Sequence, residues 1–171
     1  MDDRTRRAAR GDREAMGDIA VEHYSAIYRF CARRLGPELA ADAAQETFLT
    51  AQKAIKRFDG TSALSTWLFG IALNTCRNLA RKRRIEMNIE HAWNVAAASP
   101  GESTLVDREA LRGALKKLTS EHLEVVILHE VEGMTYEEAA GVLGVPVGTV
   151  KSRLHHAFVS LRRFMGVEVQ A

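Results

Sequence analysis

Apolar residues recur at steps of three and four along most of this chain, the spacing that gathers them on one side of an α-helix. Met16, Ile19, Ala20, His23, Tyr24, Ile27 and Cys31 form one such stripe, which predicts a long amphipathic helix. LGPE, Leu35–Glu38, ends it, because Gly36 suits a C-terminal cap and Pro37 the first turn of a new helix. The second helix is predicted from about Pro37 to Lys56, with Leu39, Ala43, Phe48, Ala51 and Ile55 along one side. FDGTSALST, Phe58–Thr66, interrupts the pattern, since Asp-Gly favours positive φ and Ser and Thr favour caps. A third helix is predicted from about Ser65 to Arg84, with a stripe of Leu64, Trp67, Leu68, Ile71, Ala72 and Leu79, and Trp67 is expected in the packed core.

From Arg84 to about Ser103 the periodicity fades into NVAAASPGES, a small, polar stretch punctuated by Pro-Gly in the manner of a linker, which Trp93 and Val95 could dock. Helical spacing resumes over Leu105–Leu118 and Glu121–Val131. Thr135-Tyr136-Glu137-Glu138 is a capping-box pattern that starts a short helix, with Ala139, Ala140 and Leu143 facing inward and Gly144 as its left-handed end. Pro146 then opens a last helix that runs to about Met165. The fold class is all-α: two small helical domains, 1–85 and 105–171, joined by a flexible linker over 86–104.

A hydrophobic fraction of 46% and a charged fraction of 27% are those of a water-soluble globular chain. No apolar run approaches the roughly 18 residues of a membrane span, and the start, MDDRTRRAARGDREAM, has no apolar signal core. The protein is therefore expected in the cytoplasm, with no membrane insertion. Cys31 and Cys76 are far apart in sequence, without the spacing of a metal site, and read as small buried hydrophobes in a reducing compartment. Net charge is only +2, but its distribution is uneven: +6 over residues 1–85, −4 over 86–110, −3 over 111–145 and +3 over 146–171. Two basic zones around an acidic middle suit a polyanion held at two separate places.

The stretch MTYEEAAGVLGVPVGTVKSRL, Met134–Leu154, has the parts of a helix-turn-helix: a bracing helix, a sharp turn and a second helix for the major groove. Small residues such as Ala139 and Ala140 allow a close crossing, and Val145 and Val150 can plug the corner. Thr149, Lys151, Ser152, Arg153 and His155 then lie on the half of the second helix that would meet DNA, with cations for phosphates or guanine edges and hydroxyls for either. A zinc hydrolase built on His122, His129 and Glu130 is a poor alternative, because HEVEG lacks the second histidine of HExxH. No catalytic residue, metal or cofactor is expected.

The segment from Glu121 to Arg163 resembles region 4 of the extracytoplasmic-function (ECF) sigma factors of bacterial RNA polymerase, most specifically through GTVKSRLH, Gly148–His155. His156 stands where that family usually has Arg. DAAQETFLTAQKAIKRFDG resembles region 2.2 and its following loop, and Trp67-Leu68, Ile71-Ala72, Asn74 and Arg81 match the pattern of regions 2.3 and 2.4. A similar hairpin occurs in LuxR-type regulators, and the N-terminal half is what separates the two classes. The resemblance implies a sigma factor that binds core RNA polymerase through the β′ clamp and β flap and brings it to promoter DNA. It also implies control by an anti-sigma factor. Region 4 would read the −35 element with the residues named above. Region 2 would hold the −10 element with Asn74 and Asn78 on one helix face, the Asp59–Ser65 loop as pocket wall, and Arg77, Arg81, Lys82, Arg83 and Arg84 on phosphates. Asp42, Gln45 and Glu46 would face the polymerase clamp.

Overall fold

The computed structural model describes residues 1–86 and 105–166, with the side chains of 1–83 and 110–166. The linker of 86–104, with Trp93 and Val95, lies outside the described side chains, as does the side chain of Arg84. The chain divides into two compact units, Met1–His91 and Ala92–Ala171.

The first unit begins with a helix that hydrophobic spacing did not announce, α1 (Asp3–Ala9). Only Thr5 and Ala8 of α1 are buried, so it carries no apolar stripe. Capping starts it instead, since Asp2 accepts from the Thr5 amide at 2.6 Å. Gly11, with φ of 97°, turns the chain into α2 (Arg13–Leu35). Asp12 caps α2 by accepting from the amides of Glu14 and Ala15 at 3.0 and 3.2 Å. Those amides, Ala15 first, and the Arg7 guanidinium hold its carboxyl below the usual range. Gly36 (φ 85°) ends α2 and Pro37 starts α3 (Pro37–Ala54), as the Gly-Pro pair requires. A 3₁₀ turn over Ile55–Arg57 closes α3, and α4 (Leu64–Glu86) follows the loop.

Helices α2, α3 and α4 pack around one core. Ala40, Ala43, Ala44 and Ala51 give α3 a face of small side chains on which neighbours approach closely, while Ile19, Ile27, Phe30, Leu68 and Leu73 supply bulk. Phe30 meets Phe69 edge-on at 5.3 Å between ring centres. Two assignments shift. Tyr24, placed by spacing on the inward stripe, is 42% exposed and stacks on Tyr28 and Phe48 at the surface. Trp67 is half-buried against Phe58, 5.1 Å away, at the edge of the core rather than within it.

The second unit comprises α5 (Leu105–Lys116), α6 (Ser120–Val126), α7 (Tyr136–Leu143) and α8 (Val147–Phe164). The helix expected to run to Val131 leaves α-geometry after Val126 and finishes as a π-helical turn over Ile127–Val131, with the Glu132 amide donating to the Ile127 carbonyl at 2.9 Å. That wider turn brings His129 to the chain ahead of α7. Its Nδ1 donates to the Met134 carbonyl at 2.6 Å, and its ring stacks on Tyr136. Thr135 and Glu138 form the capping box in both directions, and Gly144 (φ 68°, ψ 36°) is the left-handed end of α7. Pro146 is the extended N-cap of α8 rather than its first residue. Val150, Leu154, Ala157 and Leu161 bury one stripe of α8.

Candidate nucleic-acid interface

In α8 the buried stripe leaves the opposite side to solvent, and the sequence-predicted readers fall there in different states. Lys151 and His155 are exposed, and Thr149 is partly covered. Lys151 reaches over the Tyr136 ring of α7, 5.3 Å from its centre, so the bracing helix orients the cation. Ser152 is exposed, but its hydroxyl donates to the Thr149 carbonyl at 3.0 Å. Arg153 leans back from the outer face to pair with Glu121 of α6 at 2.8 Å, with 19% of its side chain exposed. His156 stacks on His122 of α6, with centres 6.3 Å apart, and His155 stands edge-on to His156 at 5.5 Å. Pro146 supplies no capping side chain, so the first amides of α8 have no side-chain partner.

In α4 the same logic exposes Asn74 and Asn78 one turn apart, while their neighbours Leu73, Thr75 and Cys76 are buried. Arg81 and Lys82 are exposed beyond them, and Arg77 is partly covered. Arg83 turns toward Glu38 at the start of α3, 3.5 Å away. At the other end of α4 the loop is set by Asp59, whose Oδ1 accepts from the Thr61 amide at 3.0 Å and the Thr61 hydroxyl at 2.8 Å. The Thr61 amide and then its hydroxyl hold the Asp59 carboxyl below the usual range.

Asp42, Gln45 and Glu46 are all exposed on α3. Beside them lies a feature that the polar pattern concealed, a groove of about 480 Å³ between α2 and α3 lined by Tyr24, Gln45, Phe48 and Leu49 among others. Leu49 is 51% exposed. Its signal was present in the spacing, four residues after Gln45 and seven after Asp42 on a face otherwise polar.

Cys31 and Cys76, distant in sequence, meet in the core of the first unit. Sharing a hydrogen bond with Cys76 pushes the Cys31 thiol well above its ordinary range, and burial adds to the shift. Among the described residues no three or more His, Cys, Asp or Glu side chains are grouped as metal ligands. Nor is any described helix long and apolar enough to cross a membrane.

Fold and surface thus define a helical protein with two separate basic faces, one of them on a helix-turn-helix. Residues 19–85 match the family model of Sigma-70 region 2, and residues 108–161 that of Sigma-70 region 4. The chain is 31% identical to the RNA polymerase sigma factor CarQ of Myxococcus xanthus, over 91% of this chain and 92% of that one. It is 30% identical to the ECF sigma factor SigW of Bacillus subtilis, over 94% of each. The ECF sigma-E factor of Escherichia coli K12 is 32% identical over 88% of this chain and 86% of its own. Among solved structures, CnrH bound to the cytosolic domain of CnrY is 28% identical, with a TM-score of 0.71 over 96% of both chains. RpoE of Bartonella quintana, in complex with the anti-sigma factor NepR, is also 28% identical, with a TM-score of 0.73 over 89% of this chain and 97% of that one. The chain belongs to the ECF RNA polymerase sigma factors. It is a transcription initiation factor that binds core RNA polymerase and directs it to promoters, and it is not an enzyme.

Proposed function

We propose that this sigma factor divides promoter recognition between its two units, with α8 at the −35 element and α4 at the −10 element. In α8, Lys151, Thr149 and His155 meet the major groove, Arg153 and Ser152 complete the surface from more tethered positions, and the uncapped amides at the helix start receive a phosphate. In α4, Asn74 and Asn78 take bases of the opened strand against the Asp59–Ser65 loop. Arg77, Arg81, Lys82, Arg83 and Arg84 balance its phosphates.

The observation that carries this reading is the exposure of Asn74 and Asn78 one turn apart on a helix whose flanking residues are core. Two amides on one edge, followed by the exposed cations Arg81 and Lys82, form a base-reading row with phosphate contacts at its end. Asp42, Gln45 and Glu46 meet the β′ clamp, and the neighbouring groove of Tyr24, Phe48 and Leu49 supplies the apolar anchor that a polar rim lacks by itself. The second unit also docks on the β flap. The Bartonella relative is held by an anti-sigma factor, and the same mode of control is extended to this chain, which acts in the cytoplasm.

The test is promoter opening by holoenzyme. Asn74→Ala with Asn78→Ala should reduce permanganate reactivity of thymines at the −10 element while leaving duplex capture nearly intact. Loss of capture with normal opening would reverse the assignment.

A further inference from the structure

The first unit carries a second cationic feature, away from the basic end of α4. Where the end of α1, the start of α2, the end of α3 and the 3₁₀ turn meet there is a cleft of about 450 Å³, lined among others by Arg13 of α2, Gln52 and Lys53 of α3 and Lys56 of the 3₁₀ turn. All three cations are exposed, and none has a carboxylate within ion-pair distance among the described residues. The carboxylate in the wall, Asp12, is already committed to the amides of Glu14 and Ala15 and to Arg7 at 2.7 Å. Ala8, Met16 and Ile55, each of them buried, also line the cleft. Cations and an amide around a concavity suit phosphates, which need charge and donors rather than an apolar pocket.

The position of α1 links this cleft to the promoter. Its N-terminal end adjoins the Asp59–Ser65 loop, where a Cβ placed on Gly60 would lie 3.2 Å from that of Met1. Its C-terminal end is followed by Gly11 at the cleft. With seven residues, α1 spans about 10 Å, so cleft and loop are separated by about one Debye length at physiological salt.

We infer that the α1–α2–α3 cleft is a second phosphate site of the first unit, taking the non-template strand just beyond the base held at the Asp59–Ser65 loop. This rests on the proposed role of α4 in holding the opened −10 element. Arg13, Lys53 and Lys56 neutralise backbone phosphates, and Gln52 offers an amide to a phosphate or a base edge.

The experiment uses holoenzyme made with the full chain, and measures the salt dependence of binding to two single-stranded oligonucleotides. One carries the −10 element alone and the other adds flanking nucleotides on both sides. The Arg13→Gln, Lys53→Gln, Lys56→Gln triple variant should bind the flanked strand about tenfold more weakly at low salt, with a log–log salt slope shallower by about 2, as three lost single-strand phosphate contacts require. Binding to the short strand should be unchanged. An unaltered slope on the flanked strand overturns the inference, as does an equal loss on both strands. A fall in affinity for core polymerase with oligonucleotide binding intact also overturns it, and assigns the cleft to an acidic protein surface. Asn74→Ala with Asn78→Ala, run in parallel, should weaken both strands. If it weakens neither, the −10 reading itself fails, whereas failure of the triple variant alone removes only the cleft.

Discussion

Lys151 and Arg153 stand two residues apart on α8, yet their surroundings give them different tasks. Lys151 projects over Tyr136 with its charge open to solvent, while Arg153 spends its guanidinium on Glu121. Lys151→Glu should weaken binding at the −35 element at least tenfold without moving the melting temperature. Glu121→Gln should lower stability by about 0.5 kcal/mol, the scale of a partly exposed ion pair, and weaken −35 binding only severalfold by loosening Arg153. Thermal melts paired with promoter binding separate the two, and equal melting shifts would show that Lys151 also supports the fold. The residues proposed as the α8 reading face could be grouped from sequence because they share one continuous helix. The Arg153 pairing was not legible there, since its partner is 32 residues away on another element. The same distance effect hid the meeting of Cys31 and Cys76. Their burial predicts a thiol reagent silent toward the native chain and reactive after unfolding. The raised Cys31 pKa fixes the sign of its pH effect. The folded chain retains that proton while the unfolded chain releases it above about pH 8.5, so this contribution to stability is complete below that pH and declines above it. Cys31→Ala should flatten that alkaline decline in denaturant titrations.

At the level of elements, α7 carries two glycines whose replacement by alanine should have opposite signs. Gly144 sits at φ 68°, where a Cβ meets no neighbour within 4 Å, so the penalty is purely that of left-handed backbone. Gly144→Ala should cost about 1 kcal/mol. Gly141 is helical and exposed, also with nothing within 4 Å of an added Cβ, so Gly141→Ala should stabilise by about 0.5–1 kcal/mol. Denaturant titration of the two variants checks the pair, and destabilisation by Gly141→Ala would reveal a close approach at that site. Such end signals explain why so much of the architecture was readable. Gly36-Pro37, the Thr135–Glu138 box and Gly144 act within a few residues, so local chemistry decides them. Elements held by long-range packing were less accessible. The π turn at Ile127–Val131 is accompanied by the hydrogen bond of His129 to Met134 and its stacking on Tyr136, contacts that periodicity does not record. Helix α1 was missed because its two buried residues are too few to make a stripe and its docking surface is supplied by α2 and the 3₁₀ turn after α3.

At the scale of the molecule, the uneven charge acquires a purpose once each basic zone is assigned to its own helical unit. Under the proposed division, two modest sites carried by one chain act together through their effective concentration, so neither need bind its promoter element tightly alone. The division also assigns the two units to different steps. A duplex −35 element is available before opening, whereas unstacked −10 bases exist only as opening proceeds, so contacts to them lower the barrier rather than the energy of first capture. Lys151→Glu should therefore reduce the equilibrium constant for capture and leave the opening rate of captured complexes within about twofold, while Asn74→Ala with Asn78→Ala should do the reverse. Because the substituted residues belong to different compact units and act on different steps, their free-energy effects on overall open-complex formation should add to within about 0.5 kcal/mol. Rapid-mixing measurements of opening across a holoenzyme concentration series extract both constants from each variant. A combined variant no slower than its worse parent would mean that both units act in one concerted step, and the two-step division of labour would fall.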